Sequence, residues 1–376
     1  MSLRLVSPAP IVLALACASS ACGNNEVQPV TGATPSAQGG AAFESMGGAS
    51  SGGVGEGGAS SGDCTLAPET ELLVGWAAVA GNGLDTTSGG GDLAATAVSD
   101  SASLNAALAG SAPAVVQLHG SVSGKVVVGS NKTLLGTCGA SIHGDIHLSR
   151  SQNVIIRNLT VVGNDCVDSP LDCSGGADAI SVSDGAHHLW FDHLDVSDGS
   201  DGNLDITSGS DFVTVSWTKF SYSSARTDVK AGANGHRFSN LIGSADNTTG
   251  DQGHLNVTFH HVWWADNVNQ RMPRTRYGKV HVFDSLYTAE GNSYCVGVGM
   301  QSSVLVESNV FANVNSPLNT SSFADADSSL NANDNIYTNT TAGTGDLGVA
   351  FTPPYEYATE PASTVALAVR GGAGPH

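Results

Sequence analysis

From about residue 113 the chain repeats one short pattern of apolar positions. An apolar residue is followed by a second two places on and a third seven places on. Copies start at Val154, Leu189, Val213, Val257, Val280 and Val304, at intervals of 35, 24, 44, 23 and 24 residues. Alternation with period two at each start predicts strand and not helix. A period in the low twenties marks a solenoid. One strand per repeat, stacked in register, predicts a parallel β-helix. The two long intervals have room for an extra loop or a further coil. A β-sandwich is the competing arrangement, but sandwiches do not require the same phase to recur.

The ends break the pattern. Residues 69–78 and 100–109 read as helical, the second starting at an Asp or Ser cap. A helix there would cover the open edge of the first coil. Residues 361–370 read as a short helix packed on the outside.

Composition supports strands and tight turns: 47 glycines and only 13% charged residues, in a chain of 376. The formal charge of −20 argues against nucleic acid as a partner, because phosphate binding needs a basic face. An acidic protein acting on an acidic polymer needs a bridging cation.

Three segments are expected. Residues 1–22 form a targeting segment: a weakly positive start, then an apolar run too short to span a bilayer. It resembles a bacterial lipoprotein signal with Cys22 as the lipidated residue. Ser19 departs from that pattern, so ordinary cleavage stays open, and Cys17 is the other lipid candidate. Residues 23–63 include a Gly/Ser/Ala tract that cannot bury a core and serves as a tether. Residues 64–376 form the folded domain. The protein is thus expected to be exported, secreted or held at the cell surface, with a membrane lipid anchor as an option. In an exported chain, disulfides are expected. Cys166–Cys173 and Cys64–Cys138 are the candidate pairs, which leaves Cys295 free or buried.

Two clusters carry candidate chemistry. Residues 178–205 hold seven aspartates and no glutamate. Asp178 and Asp201 are about one coil apart, which places them on neighbouring rungs, and Asp205 follows across a Gly-rich turn. Three converging carboxylates repel one another unless a cation lies between them, and hard oxygen ligands suit Ca²⁺. Aspartates serving Asp-Gly turns are the plainer alternative. The second cluster, Arg271-Met-Pro-Arg-Thr-Arg276-Tyr-Gly-Lys279, holds four of the chain's fourteen Lys and Arg residues. Arginine forks bind carboxylates in a bidentate way; a solvated basic edge is the alternative.

The stretches 178–193, 204–217 and 256–282, in that order, resemble the pectate lyase family, which also contains pectin lyases. The likeness runs over roughly residues 70–315. It implies a right-handed parallel β-helix that binds Ca²⁺ and cleaves polygalacturonate by β-elimination, acting as a monomer. The family's first calcium aspartate matches Asp178, and its paired acidic ligands match Asp201 and Asp205. The first arginine of its Arg-x-Pro-x-x-Arg motif, the catalytic one, matches Arg271. The second, which binds substrate carboxylate, matches Arg276. Arg274 and Lys279 acquire no role. A free guanidinium, with a pKa above about 12, is a poor base; cationic crowding must lower it, which implies an alkaline optimum.

One departure concerns a substrate-binding lysine that relatives carry between the two motifs. Here that position falls on or near Phe238, and Arg237 or Lys230 are the candidate replacements. His254, His260, His261 and His281 are expected to be structural, and at least one of Trp263 and Trp264 should be core. Two other functions stay open: a calcium-independent pectin lyase acting on methyl-esterified polymer, and a non-catalytic β-helix that binds polysaccharide. Asp205, at a position where pectin lyases tend to carry a basic residue, argues against the first.

Overall fold

The computed structural model describes residues 72–163, 178–223, 236–342 and 345–376, all within one compact unit, Ser60–His376. Its strands pair in parallel, and each coil lies directly on the next: the chain is a parallel β-helix. Among the described residues a seventeen-stranded and an eight-stranded sheet form its walls.

The register follows the apolar repeat. Val154, Leu189, Val213, Val257, Val280 and Val304 are consecutive partners in one column, and all are buried. Leu330 extends the column by one coil that the pattern did not single out. Neither long interval adds a coil to the stack, since Val154 pairs directly with Leu189 and Val213 with Val257. Two places on, Ile156, Phe191, Val215, Phe259, Val282 and Val306 fill a second inward column. Burying one such side chain contributes about 1.5–3 kcal/mol, and the repeat adds that gain at every rung.

Each coil then turns at one left-handed residue: Asn158, His193, Trp217, His261, Asp284, Ser308 and Asp334 all have φ between 45° and 58°. Beyond the turn, an inward column of rings runs Phe220, Trp264, Tyr287, Phe311, Tyr337. The Trp264–Tyr287 and Tyr287–Phe311 centres are 4.5 and 4.2 Å apart. Trp264 is thus core, and its indole N–H donates to Asn240 Oδ1 at 2.8 Å.

The helix α1 (Ser101–Leu108) forms where expected, with the Asp100 carboxylate accepting from the Ala102 and Ser103 amides. It packs on the first coil through Leu104 and Leu108. The helix α2 (Ala362–Gly372) lies outside, with Val365 and Val369 against Leu286 and Val310. Residues 69–78 do not make a helix in their described part: only a single turn, Trp76–Ala78, is helical. The reason is local, since Gly75 has φ 110° and the Trp76 and Ala77 amides donate to Thr258 and Thr214 side chains. That bonding ties the segment flat onto the large sheet.

His261 and His281 serve the fold. His281 bonds Tyr355 and Glu307 at 2.9 and 3.1 Å, and His261 approaches Glu360 at 3.4 Å, so the C-terminal segment is laced to the sheet. Cys295 is buried and free, as expected. Both candidate cystine pairs involve residues outside the described set (Cys64, Cys166 and Cys173), as do Cys22 and Lys230. Among the described residues no helix is long and apolar enough to cross a membrane.

Candidate active site

The eight-stranded sheet positions the site. Its alternation sends Ile180, Val182, Leu204, Ile206 and Ile242 inward. The residues between them, Ser181, Asp205, Leu241, Arg274 and Gly297, form one outward column, each paired with the next.

Asp178 enters just before the strand Ile180–Ser183, alongside Gly202 of the next coil, where the Ala179 amide donates to the Gly202 carbonyl at 3.0 Å. Asp178 and Asp205 converge over that glycine. A Cβ on residue 202 would lie 2.9 Å from Asp178 Oδ1 and 3.0 Å from Asp205 Oδ1. The absent side chain is what leaves the cradle open. Ser181 donates to Asp178 Oδ2 at 3.2 Å, and the Leu241 amide donates to Asp205 Oδ1 at 3.0 Å. Asp178 Oδ1 is buried with no hydrogen-bond partner among the described residues.

Burial, then the neighbouring Asp201 charge, pushes the Asp178 carboxyl up to about 6. Burial, then Asp178, raises Asp205 well above the usual carboxylate range. The Arg271 charge opposes both shifts. An orphaned oxygen, an all-oxygen donor set and carboxylates that disfavour each other's charge fit a hard cation such as Ca²⁺.

Asp201 behaves differently from the expectation of three converging carboxylates. It lies close enough to raise Asp178, yet its Oδ1 is 2.8 Å from His236 Nδ1. Among the described residues no three His, Cys, Asp or Glu side chains close on one point. The His236 imidazole is one partner that Asp201 has outside the cradle.

The arginine comb separates into three environments. Arg271 has φ 63°, and its carbonyl accepts from the Asn240 amide at 2.7 Å. Its guanidinium carbon is 4.0 Å from the centre of the Phe238 ring. The His236 ring stacks on Phe238 as well, 4.8 Å away at 25°. Arg276, expected to clamp a substrate carboxylate, is already engaged: Nε is 2.5 Å from Asp246 Oδ1, and Nη1 donates to the Gly243 carbonyl at 2.8 Å. Arg274 lies on the Phe323 ring at 4.2 Å. Arg237 is partly exposed, and its carbonyl accepts from Asn269.

Residues 63–371 match the family model described as pectate lyase. The chain belongs to the pectate lyase family. It is a polysaccharide lyase by that membership. It is 35% identical over 259 residues to probable pectate lyase B of Aspergillus terreus, covering 64% of this chain and 71% of that one. It is 30% identical over 294 residues to pectate lyase E of Dickeya chrysanthemi, covering 63% and 67%. The fold is similar to that of the pectate lyase of Bacillus sp. N165 solved in complex with trigalacturonate. The TM-score is 0.65 with 23% identity, over 81% of this chain and 99% of that one.

Sequence reasoning missed Gly202, His236 and Phe238 as parts of this candidate site. Gly202 carried only a turn signal. Phe238 was noted as the place of a missing lysine, and nothing in the sequence brings its ring against Arg271.

Proposed function

We propose that this chain cleaves α-1,4-polygalacturonate by β-elimination and depends on Ca²⁺ to do so. The observation that carries the reading is the Asp178–Asp205 cradle over Gly202, with the Arg271 charge acting on both carboxylates. Asp178 and Asp205 would hold the cation, with Asp201 completing the set once it leaves His236. Bound there, Ca²⁺ supplies Lewis-acid neutralisation of a uronate carboxylate, which acidifies the proton on the adjacent C5.

Arg271 takes that C5 proton. Phe238 lies against the guanidinium, and the buried Nε has no hydrogen-bond partner among the described residues. The electron pair from C5–H forms the C4–C5 double bond, the C4–O4 bond breaks, and O4 leaves with the departing chain. The result is a 4,5-unsaturated end. Arg276, neutralised by Asp246, holds the comb's backbone and the loop bearing Asp246 in place. Its carboxylate contact would require Asp246, which is largely exposed, to yield. The apolar leader and Cys22 support export, with the lyase released or lipid-anchored.

The test compares polygalacturonate with methyl-esterified pectin, each with added Ca²⁺ and with chelator. Cleavage of polygalacturonate that chelator abolishes supports the reading. Chelator-insensitive cleavage of the ester would make the protein a pectin lyase, and binding without cleavage of either would make it a non-catalytic binder.

A further inference from the structure

Arg274 had no role in the sequence reading, yet the fold builds a seat around it. Its guanidinium carbon lies 4.2 Å from the centre of the Phe323 ring, and Tyr294 stands against the same ring at 5.2 Å. Gly297, its partner on the next coil, makes the room: a Cβ there would lie 2.9 Å from Tyr294 and 3.3 Å from Phe323. Arg274 Nε is buried without a hydrogen-bond partner among the described residues, and the Tyr294 hydroxyl stands beside the guanidinium. Arg276 has Asp246, but no carboxylate pairs with Arg274 in the described residues. Burial and the Arg276 and Arg271 charges hold its pKa below the usual arginine range, so an anion would relieve that crowding.

Arg274 also shares the outward column of Asp205, with Leu241 between them. Two strand spacings put it about 10 Å along the solenoid from Asp205. A polymer lying along this column meets the acidic cradle and then Arg274.

We propose that Arg274, seated on Phe323 and Tyr294 above Gly297, is a second carboxylate-binding station for a uronate unit of the chain held at Asp178 and Asp205. It rests on the reading of the protein as a binder of polyuronate. The guanidinium presents its terminal nitrogens as a fork, and Phe323 fixes the plane of that fork, which cuts the ordering cost on binding.

The test is calorimetric binding of hexagalacturonate and its fully methyl-esterified form in chelator, with KM and kcat on polygalacturonate alongside. Arg274→Gln should weaken hexagalacturonate binding about tenfold or more, leave the uncharged ester unaffected, and raise KM by more than it lowers kcat. Phe323→Leu, which keeps the charge and frees the fork, should show a smaller loss of the same kind; circular dichroism confirms both folds. Equal binding by wild type and Arg274→Gln overturns the station, as does an equal loss with the ester, which would mark a structural role. If wild type cleaves polygalacturonate while Arg274→Gln binds normally, the station falls and the proposed function stands. If wild type cleaves polygalacturonate with Ca²⁺ but binds no hexagalacturonate in chelator, the station falls alone; if it neither binds in chelator nor cleaves with Ca²⁺, both fall.

Discussion

The Arg271 guanidinium carbon lies over the Phe238 ring, 4.0 Å from its centre. His236 stacks on the same ring and bonds Asp201 at 2.8 Å. One phenylalanine therefore connects the proposed base with a proposed calcium ligand.

Removing that platform should cost turnover. Phe238→Ala is expected to lower kcat on polygalacturonate about tenfold, the scale of a desolvated cation–π contact. Phe238→Tyr, which keeps the ring face, should retain most activity. Steady-state kinetics of the two variants check this, and equal kcat values would show that the stack is incidental.

Gly202 keeps the cradle open. Gly202→Ala places a methyl about 3 Å from both Asp178 and Asp205 oxygens, so calcium affinity should fall by roughly tenfold or more. Calorimetric titration of Ca²⁺ into the two proteins is the measurement. Undiminished affinity would mean that the cation does not lie between those carboxylates.

Asp284 gives a pH signature away from the site. Burial, with help from Glu360 and Glu307, pushes its carboxyl to about 7, against 3.8 unfolded. Between those values the native state holds a proton that the unfolded chain lacks. The stability due to Asp284 is therefore fully present below about pH 4 and is lost as pH rises through about 7. Asn accepts the left-handed φ of 49° at this position. Asp284→Asn should thus gain on wild type by on the order of 1–3 kcal/mol at pH 8 relative to pH 4. Melting curves at the two pH values decide it, and a constant difference would show that Asp284 ionises normally.

The register of the solenoid was legible because one apolar column, Val154 to Val304, fixes which face of every strand is inside. A one-residue slip would expose the whole column. Leu330 escaped notice because its coil keeps the spacing only weakly, with the small Ala332 in the second inward position between polar Asn331 and Asn333. Asp178 and Asp205 were legible because a coil has nearly constant length, so sequence distance converts to position on neighbouring rungs. The roles of Arg274 and Arg276 were not. Which arginine is engaged depends on Asp246, and which is seated depends on Phe323. Both partners come from loops whose paths no periodicity constrains. The helix expected at residues 69–78 failed for a similar reason: Thr214 and Thr258, far along the chain, capture the amides that a helix would have used.

The central claim is that Arg271 removes the C5 proton of a uronate held at the Asp178–Asp205 cradle. The most direct measurement is the ultraviolet absorbance of 4,5-unsaturated product released from polygalacturonate with Ca²⁺, by wild type and by Arg271→Ala of unchanged circular dichroism. The account predicts a steady rise for wild type, steeper at alkaline pH, and a loss of at least about a thousandfold in the variant. Product formed by Arg271→Ala at a rate near that of wild type would contradict it.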